Sequence, residues 1–201
     1  MGSRFGCVLN DPMTDKSHSS QNSGAATAVA PDKSIEFVLK HAATPEQFCT
    51  ALAKLFAVRT SEVALMRADN GLLKFVIPEQ LKTAGSIPIS SSSSVAAHTA
   101  ASKKTQLFNN FAKVKHARVF ETVKITTEGQ DQSEQAAIQK IMSVPVLRSD
   151  NKVIGVIQVS RKAFDLAAAG PDFTPEDLQQ LELAAKVACK MPFLDQKSAR
   201  K

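Results

Sequence analysis

Tryptophan and tyrosine are absent from the 201 residues, so the aromatic part of any core falls to 11 phenylalanines. Cysteine is scarce. Cys7, Cys49 and Cys189 are an odd number without metal-ligand spacing, which argues against a zinc cage or a paired-cysteine redox motif. Cys49 and Cys189 fall in apolar helical patterns and read as small buried thiols in a reducing compartment. No apolar run approaches the ~18 residues of a membrane span. The N-terminus lacks the apolar stretch of a secretory signal, and Gly6 stands where a myristoylation motif needs Ser or Thr. A cytoplasmic protein with no membrane partner is expected. Catalytic signatures are missing as well: no nucleophile elbow, glycine-rich phosphate loop or zinc-protease helix is found. No enzymatic activity, cofactor or metal is expected.

Acidic residues are rare in one region. Between Val95 and Thr127 lie Lys103, Lys104, Lys113, Lys115, Arg118 and Lys124 against Glu121 alone, an excess of +5 in a chain whose formal charge is +6. This reads either as an anion-attracting surface or as a solvated lysine face. Nucleic acid is not an expected partner, because no aromatic platform or arginine cluster alternates with the charge.

Residues 1–33 are rich in Ser, Ala, Asn, Asp and Thr, with few large apolar residues and no sustained period; they read as a disordered tail. Residues 34–193 form the expected domain, and 194–201 a charged C-terminal tail. Ile35, Val38, Leu39 and Ala42 keep helical spacing. Thr44, Pro45 and Gln47 form the start signal of a second helix whose stripe is Phe48, Leu52, Leu55 and Phe56. A hairpin follows, with Val63, Leu65 and Arg67 on one face, Ala64, Met66 and Ala68 on the other, and Asp69-Asn70-Gly71 as the turn. Residues 86–90 read as a short third strand. "SSSSVAAHTAASKK" reads as a helix capped by one of its serines. Residues 107–135 mix short elements. A second hairpin spans about Ile138–Leu147 and Val153–Ser160, turning at 148–152. The last helix starts at Thr174 and buries Leu178, Leu181, Ala185 and Ala188.

That second hairpin is apolar on both faces. Strict alternation puts Val153, Gly155, Ile157 and Val159 on one side and Ile154 and Val156 on the other. An antiparallel sheet usually wets one face; this one needs cover on both. The terminal helices can cover one side and the 90–135 cassette the other, leaving a cleft between sheet and cassette. Pro145 removes a ladder donor from what reads as a central strand, so a bulge or a missing bond is expected there. Gly155 marks a close approach by a helix.

"SVPVLRSDNKVIGVIQVSRK", "FTPEDLQQLELAA" and "IPISSSSSVAAHTAASKKTQLFNN" together resemble the GAF domain family, small-molecule sensor modules of signalling proteins. Pro145, Gly155, Val156, Phe173, Asp177 and Leu181 fall where the family pattern wants them. The resemblance implies an α/β fold of the α+β type: a mostly antiparallel sheet of about six strands with helices on both faces. The cyclic-nucleotide-binding subset carries Asn-Lys after the last strand and then Phe, three residues and Asp-Glu. Here those places hold Arg161-Lys162, Phe173, Asp177 and Leu178, so that ligand is not implied. The bilin-binding cysteine is missing from the cassette. Cys49 and Cys189 sit on outer helices rather than near the pocket, unlike the cysteines of the free methionine sulfoxide reductases that share this fold.

Two functions follow as expectations. In the first, a non-catalytic sensor binds a small anionic ligand between sheet and cassette through Ser93, Ser94, His98, Phe108, Asn109, Phe111, Lys115, Arg118 and Phe120, and acts through a partner signalling protein. In the second, a degenerate domain with a closed pocket serves as a scaffold for dimerisation or protein interaction. Phe37, Leu183, Val187 and Met191 exceed one helical stripe and point to a homodimer, or to the two helices packing on each other within one chain.

Overall fold

The computed structural model describes residues 39–83, 85–91, 93–111 and 136–195. The N-terminal tail, residues 196–201, Ile35, Val38 and most of the 107–135 stretch lie outside them; Leu194, expected in the charged C-terminal tail, instead sits in a short final helix and is buried in the core.

Helix α1 is Pro45–Leu55. The Thr44 hydroxyl accepts from the Gln47 N–H at 3.2 Å, while the Gln47 side chain reaches back to the Ala43 N–H at 2.9 Å. Two of the orphan donors at a helix start are thereby used. Strands β1 (Val63–Asp69) and β2 (Leu72–Ile77) form the first hairpin. Asn70 and Gly71 both take positive φ, +50° and +78°, the pairing a two-residue turn requires to match the twist of its strands. Next come β3 (Ser86–Pro88), α2 (Val95–Ser102), β4 (Gln106–Phe108), β5 (Ala137–Leu147), β6 (Val153–Ala163), α3 (Pro175–Ala188) and the short α4 (Pro192–Asp195). Thr174 and Asp177 cap α3 reciprocally, at 3.1 and 2.9 Å.

The six strands form one sheet in the order β3-β2-β1-β6-β5-β4, and each neighbouring pair is antiparallel. Both faces are covered, as the hairpin pattern demands. On one side Val63, Leu65, Met142, Val144, Ile157 and Val159 pack with Phe48 and Leu52 of α1 and Leu181 and Ala185 of α3. On the other, Met66, Leu73 and Val156 meet Ala96, Ala97 and Ala100 of α2.

Strict alternation fails at the start of β6. Val146 pairs with Gly155 but Leu147 pairs with Val153, so the register shifts there. Such a bulge resets the side-chain alternation. Ile154 therefore joins the helix-side core with Ile157, and Val153 packs on the cassette side. Pro145 also differs from expectation. It pairs with Val156 on β6, while β4 reaches along β5 only from Ile141 to Ser143. Among the described residues no strand pairs with β5 beyond Ser143 on that side, so a missing donor at Pro145 is tolerated there. A Cβ at Gly155 would lie 2.5 Å from the carbonyl oxygen of Met66 and 3.4 Å from Leu194. The tight approach is thus to the neighbouring strand first and to α4 second.

Val187 and Met191, taken from sequence as surplus apolar residues, are buried in this chain's own core, and Leu183 is half-buried. Phe37 lies outside the described residues.

Candidate functional site

The cleft predicted between sheet and cassette is roofed by α2. The Ser94 hydroxyl caps the helix, accepting from the Ala97 N–H at 3.5 Å. Alanines at 96, 97 and 100 let the helix lie close to the sheet. Beneath it sits a polar group within an otherwise apolar layer. The Thr99 hydroxyl donates to the Ser143 hydroxyl at 2.8 Å, and the Gln158 amide donates to the same oxygen at 3.5 Å. Thr99 and Ser143 are fully buried and Gln158 nearly so. Ser143 and Gln158 face each other across β5 and β6, so the trio spans the middle of the second hairpin.

The other predicted residues do not converge on this group. Ser93 is half-buried, and its hydroxyl lies 2.8 Å from that of Ser91. His98 is exposed: the helical period that turns Ala97, Thr99 and Ala100 to the sheet turns His98 outward. The reading that it faces the cleft gives way to a solvent-facing position. Phe108 and Phe111 meet edge to face with centroids 6.4 Å apart, and Phe111 is buried with Val95 and Ile141. Asn109 is engaged elsewhere. Its amide donates to the Phe173 carbonyl and its oxygen accepts from the Phe173 N–H, both at 2.9 Å. This reciprocal pair ties the end of β4 to the lead-in of α3. Lys115, Arg118 and Phe120 lie outside the described residues. Lys103, with φ +56°, closes α2, and both it and Lys104 are exposed.

Sequence reasoning missed Thr99, Ser143 and Gln158. The signal was present: Ser143 and Gln158 are single polar residues inside "IMSVPV" and "GVIQV", strands apolar on both faces. The places that carry the cyclic-nucleotide signature elsewhere do structural work here. Arg161 donates to the Phe56 carbonyl at 3.1 Å and lies 4.7 Å over the Phe173 ring. Asp177 is a helix cap.

A GAF domain model matches residues 42–188. The chain belongs to the GAF domain family. It is thus a member of a family of signalling and sensor modules, and the antiparallel six-stranded α+β architecture is the family's. The GAF domain of an Acinetobacter phosphoenolpyruvate-protein phosphotransferase is similar at TM-score 0.57 and 14% identity, covering 78% of this chain and 87% of that one. A free methionine-R-sulfoxide reductase from Neisseria meningitidis, in complex with its substrate, is similar at 0.53 and 18%, covering 79% and 83%. A methyl-accepting chemotaxis protein segment is similar at 0.53 and 14%, covering 77% and 92%. At these identities the likeness shows the fold. A comparison with curated proteins finds no match. Among the described residues no helix is long and apolar enough to cross a membrane, and no group of three or more His, Cys, Asp or Glu could hold a metal ion.

Proposed function

We propose that this GAF domain is a non-catalytic sensor that binds a small anionic ligand between its sheet and the 90–135 cassette and acts through a partner protein. The observation that carries this reading is the buried Thr99–Ser143–Gln158 group. Hydrogen-bonded to one another, these buried groups gain little over apolar side chains of the same shape, so a purely structural interface gives no reason for them. A few convergent polar groups in an apolar cleft are what fix a small ligand's orientation. The basic excess of the cassette supplies the preference for an anion.

The cysteines support the non-catalytic part. Burial pushes the Cys49 thiol up to about 12, with the Glu46 charge adding to the effect; a thiol so protonated is a poor nucleophile. Cys49 lies in the helix-side core and Cys189 packs against it, across the sheet from α2. The scaffold reading has its own support: Asn109 is committed to Phe173, and Phe111 fills space between Val95 and Ile141.

A thermal-shift panel of nucleotides and organic acids separates the two, followed by titration of any hit against Thr99→Val, Lys115→Ala and Lys186→Ala, exposed on α3 across the sheet. The sensor reading requires the first two changes to weaken binding and the third to leave it alone. Equal binding by all three variants, or no hit in the panel, hands the argument to the scaffold.

A further inference from the structure

A groove lies on the opposite face of the sheet from α2. This groove of about 610 Å³ is lined by Pro45, Arg67, Lys74, Val76, Lys82 and Phe193, among others. Arg67 continues the face of β1 that carries Val63 and Leu65, so it sits on the side of α1 and α3 and not under α2. The cassette site and this groove are therefore separated by the sheet itself.

Among the described residues the groove contains three cations, and two of them have ion-pair partners. Lys74 bonds the Asp69 carboxylate at 2.7 Å and Lys82 bonds Glu79 at 2.5 Å. No hydrogen bond or ion pair with another described residue reaches the Arg67 guanidinium, and its Nε is shielded from solvent with no acceptor. Arg67 stands directly across the ladder from Lys74, a like-charge pair that destabilises a sheet unless anions offset it; the Asp69 carboxylate, bonded to Lys74 and attracted by Arg67, offsets only one of the two charges. A shielded donor without a partner adds to that cost. Both costs fall if one anion docks on Arg67.

Charge and shape then select the ligand. Arg67 and Lys74 against Asp69 leave one positive charge in excess, which matches one negative charge. A guanidinium presents its donors as a planar fork that fits a carboxylate with two parallel bonds. Pro45, Val76 and Phe193 supply apolar walls for the rest of the molecule. We propose that this groove is a ligand site for a small organic monocarboxylate, held by Arg67.

The test uses the full chain with benzoate as the probe and inorganic phosphate as the comparison. The Arg67 Nε–H resonance, assigned by its loss in Arg67→Gln, is followed by NMR while each anion is added. Benzoate should shift that resonance saturably, and Arg67→Gln should weaken benzoate binding at least about tenfold, the scale of a lost charge-assisted pair. Lys186→Ala, on the far helix surface, should bind as the parent does. An unmoved Arg67 resonance, or undiminished binding by Arg67→Gln, overturns the site. Phosphate binding as tightly as benzoate overturns the monocarboxylate assignment. If Arg67→Gln does not fold, Arg67→Lys provides the assignment and the parent titration still decides. Failure here leaves the cassette reading untouched, because that reading is tested with Thr99 and Lys115.

Discussion

Glu62 holds the two ends of the sheet's central pair together. It is only 7% exposed, just before β1, and its carboxylate accepts three hydrogen bonds. The Arg59 N–H reaches Oε2 at 2.8 Å, and Arg59 Nη2 and the Lys162 N–H reach Oε1 at 3.1 and 2.6 Å. The last of these spans a separation of 100 residues and ties the start of β1 to the end of β6. Replacing Glu62 by Gln keeps the shape but sets an amide N–H₂ against one of the donors and removes the charge from the other bonds. Hydrogen bonds to a charged group contribute about 1.5–3 kcal/mol each and neutral ones about 1. The Arg59 side chain is 40% exposed, so its share is discounted for screening. The expected loss is about 2–3 kcal/mol at neutral pH. Burial alone would raise the Glu62 pKa, but the Arg59 side chain, the Lys162 and Arg59 N–H groups and the Arg59 charge outweigh it and hold the carboxyl below the ordinary 4.5. A depressed pKa means stability that is complete above the unfolded value and is lost as pH falls through the folded one. The gap between parent and Glu62→Gln should therefore be full at pH 7 and narrow only below 4.5. Urea denaturation of both proteins across that range measures it. Equal midpoints at pH 7, or a gap that stays constant into acid, would refute the ionised-latch argument.

Gly155→Ala should destabilise by about 2–3 kcal/mol, the overpacking range, because the new methyl would meet the Met66 carbonyl at 2.5 Å; a chemical-denaturation midpoint within error of the parent's contradicts this. Ile157→Ala should cost about 2–5 kcal/mol, since the side chain is fully buried between the sheet and the helices. Lys152→Ala, on the exposed hairpin turn, should change stability by less than about 0.5 kcal/mol. Similar melting shifts for these last two would mean the hairpin's inner face is assigned to the wrong residues.

The elements that local chemistry specifies were legible in sequence. Thr44 and Thr174 cap helices because a hydroxyl before Pro and an acceptor three residues later satisfy orphan donors whatever surrounds them. Asn70-Gly71 makes its turn for an equally local reason. What failed depended on pairings and contacts that a single stretch of sequence does not display. The flipped alternation at Val153 and Ile154 arises from the register against Leu147. The tolerance of Pro145 depends on how far β4 extends. Asn109 read as a pocket residue because nothing in its own surroundings announces a bond to Phe173, 64 residues away. Arg67 read as the end of an apolar strand face, since only the fold reveals that its ladder partner is Lys74 and that Phe193 closes over the same space.

The buried polar residues separate into two kinds, and the separation bears on function. Glu62 binds the Lys162 N–H, Gln139 donates to the Ala163 carbonyl, Lys140 donates to the Gly170 carbonyl and the Asp172 carboxylate, and Ser160 donates to the Glu62 carbonyl. Ser94 caps a helix. Each of these satisfies backbone that would otherwise be orphaned, and so repays its own burial by holding a turn, a loop or a strand end. The hydrogen bonds that join Thr99, Ser143 and Gln158 run only between their side chains. They fasten no loop, and the Thr99–Ser143 bond could be exchanged for a Val–Ala contact with little loss, since replacing both partners of a buried pair is often nearly neutral. Stability alone therefore gives no reason for polarity at these positions. The Thr99–Ser143 bond does join the cassette helix to β5, but an apolar contact would join them as well, so polarity at the centre of the sheet is better explained by something the group must bind.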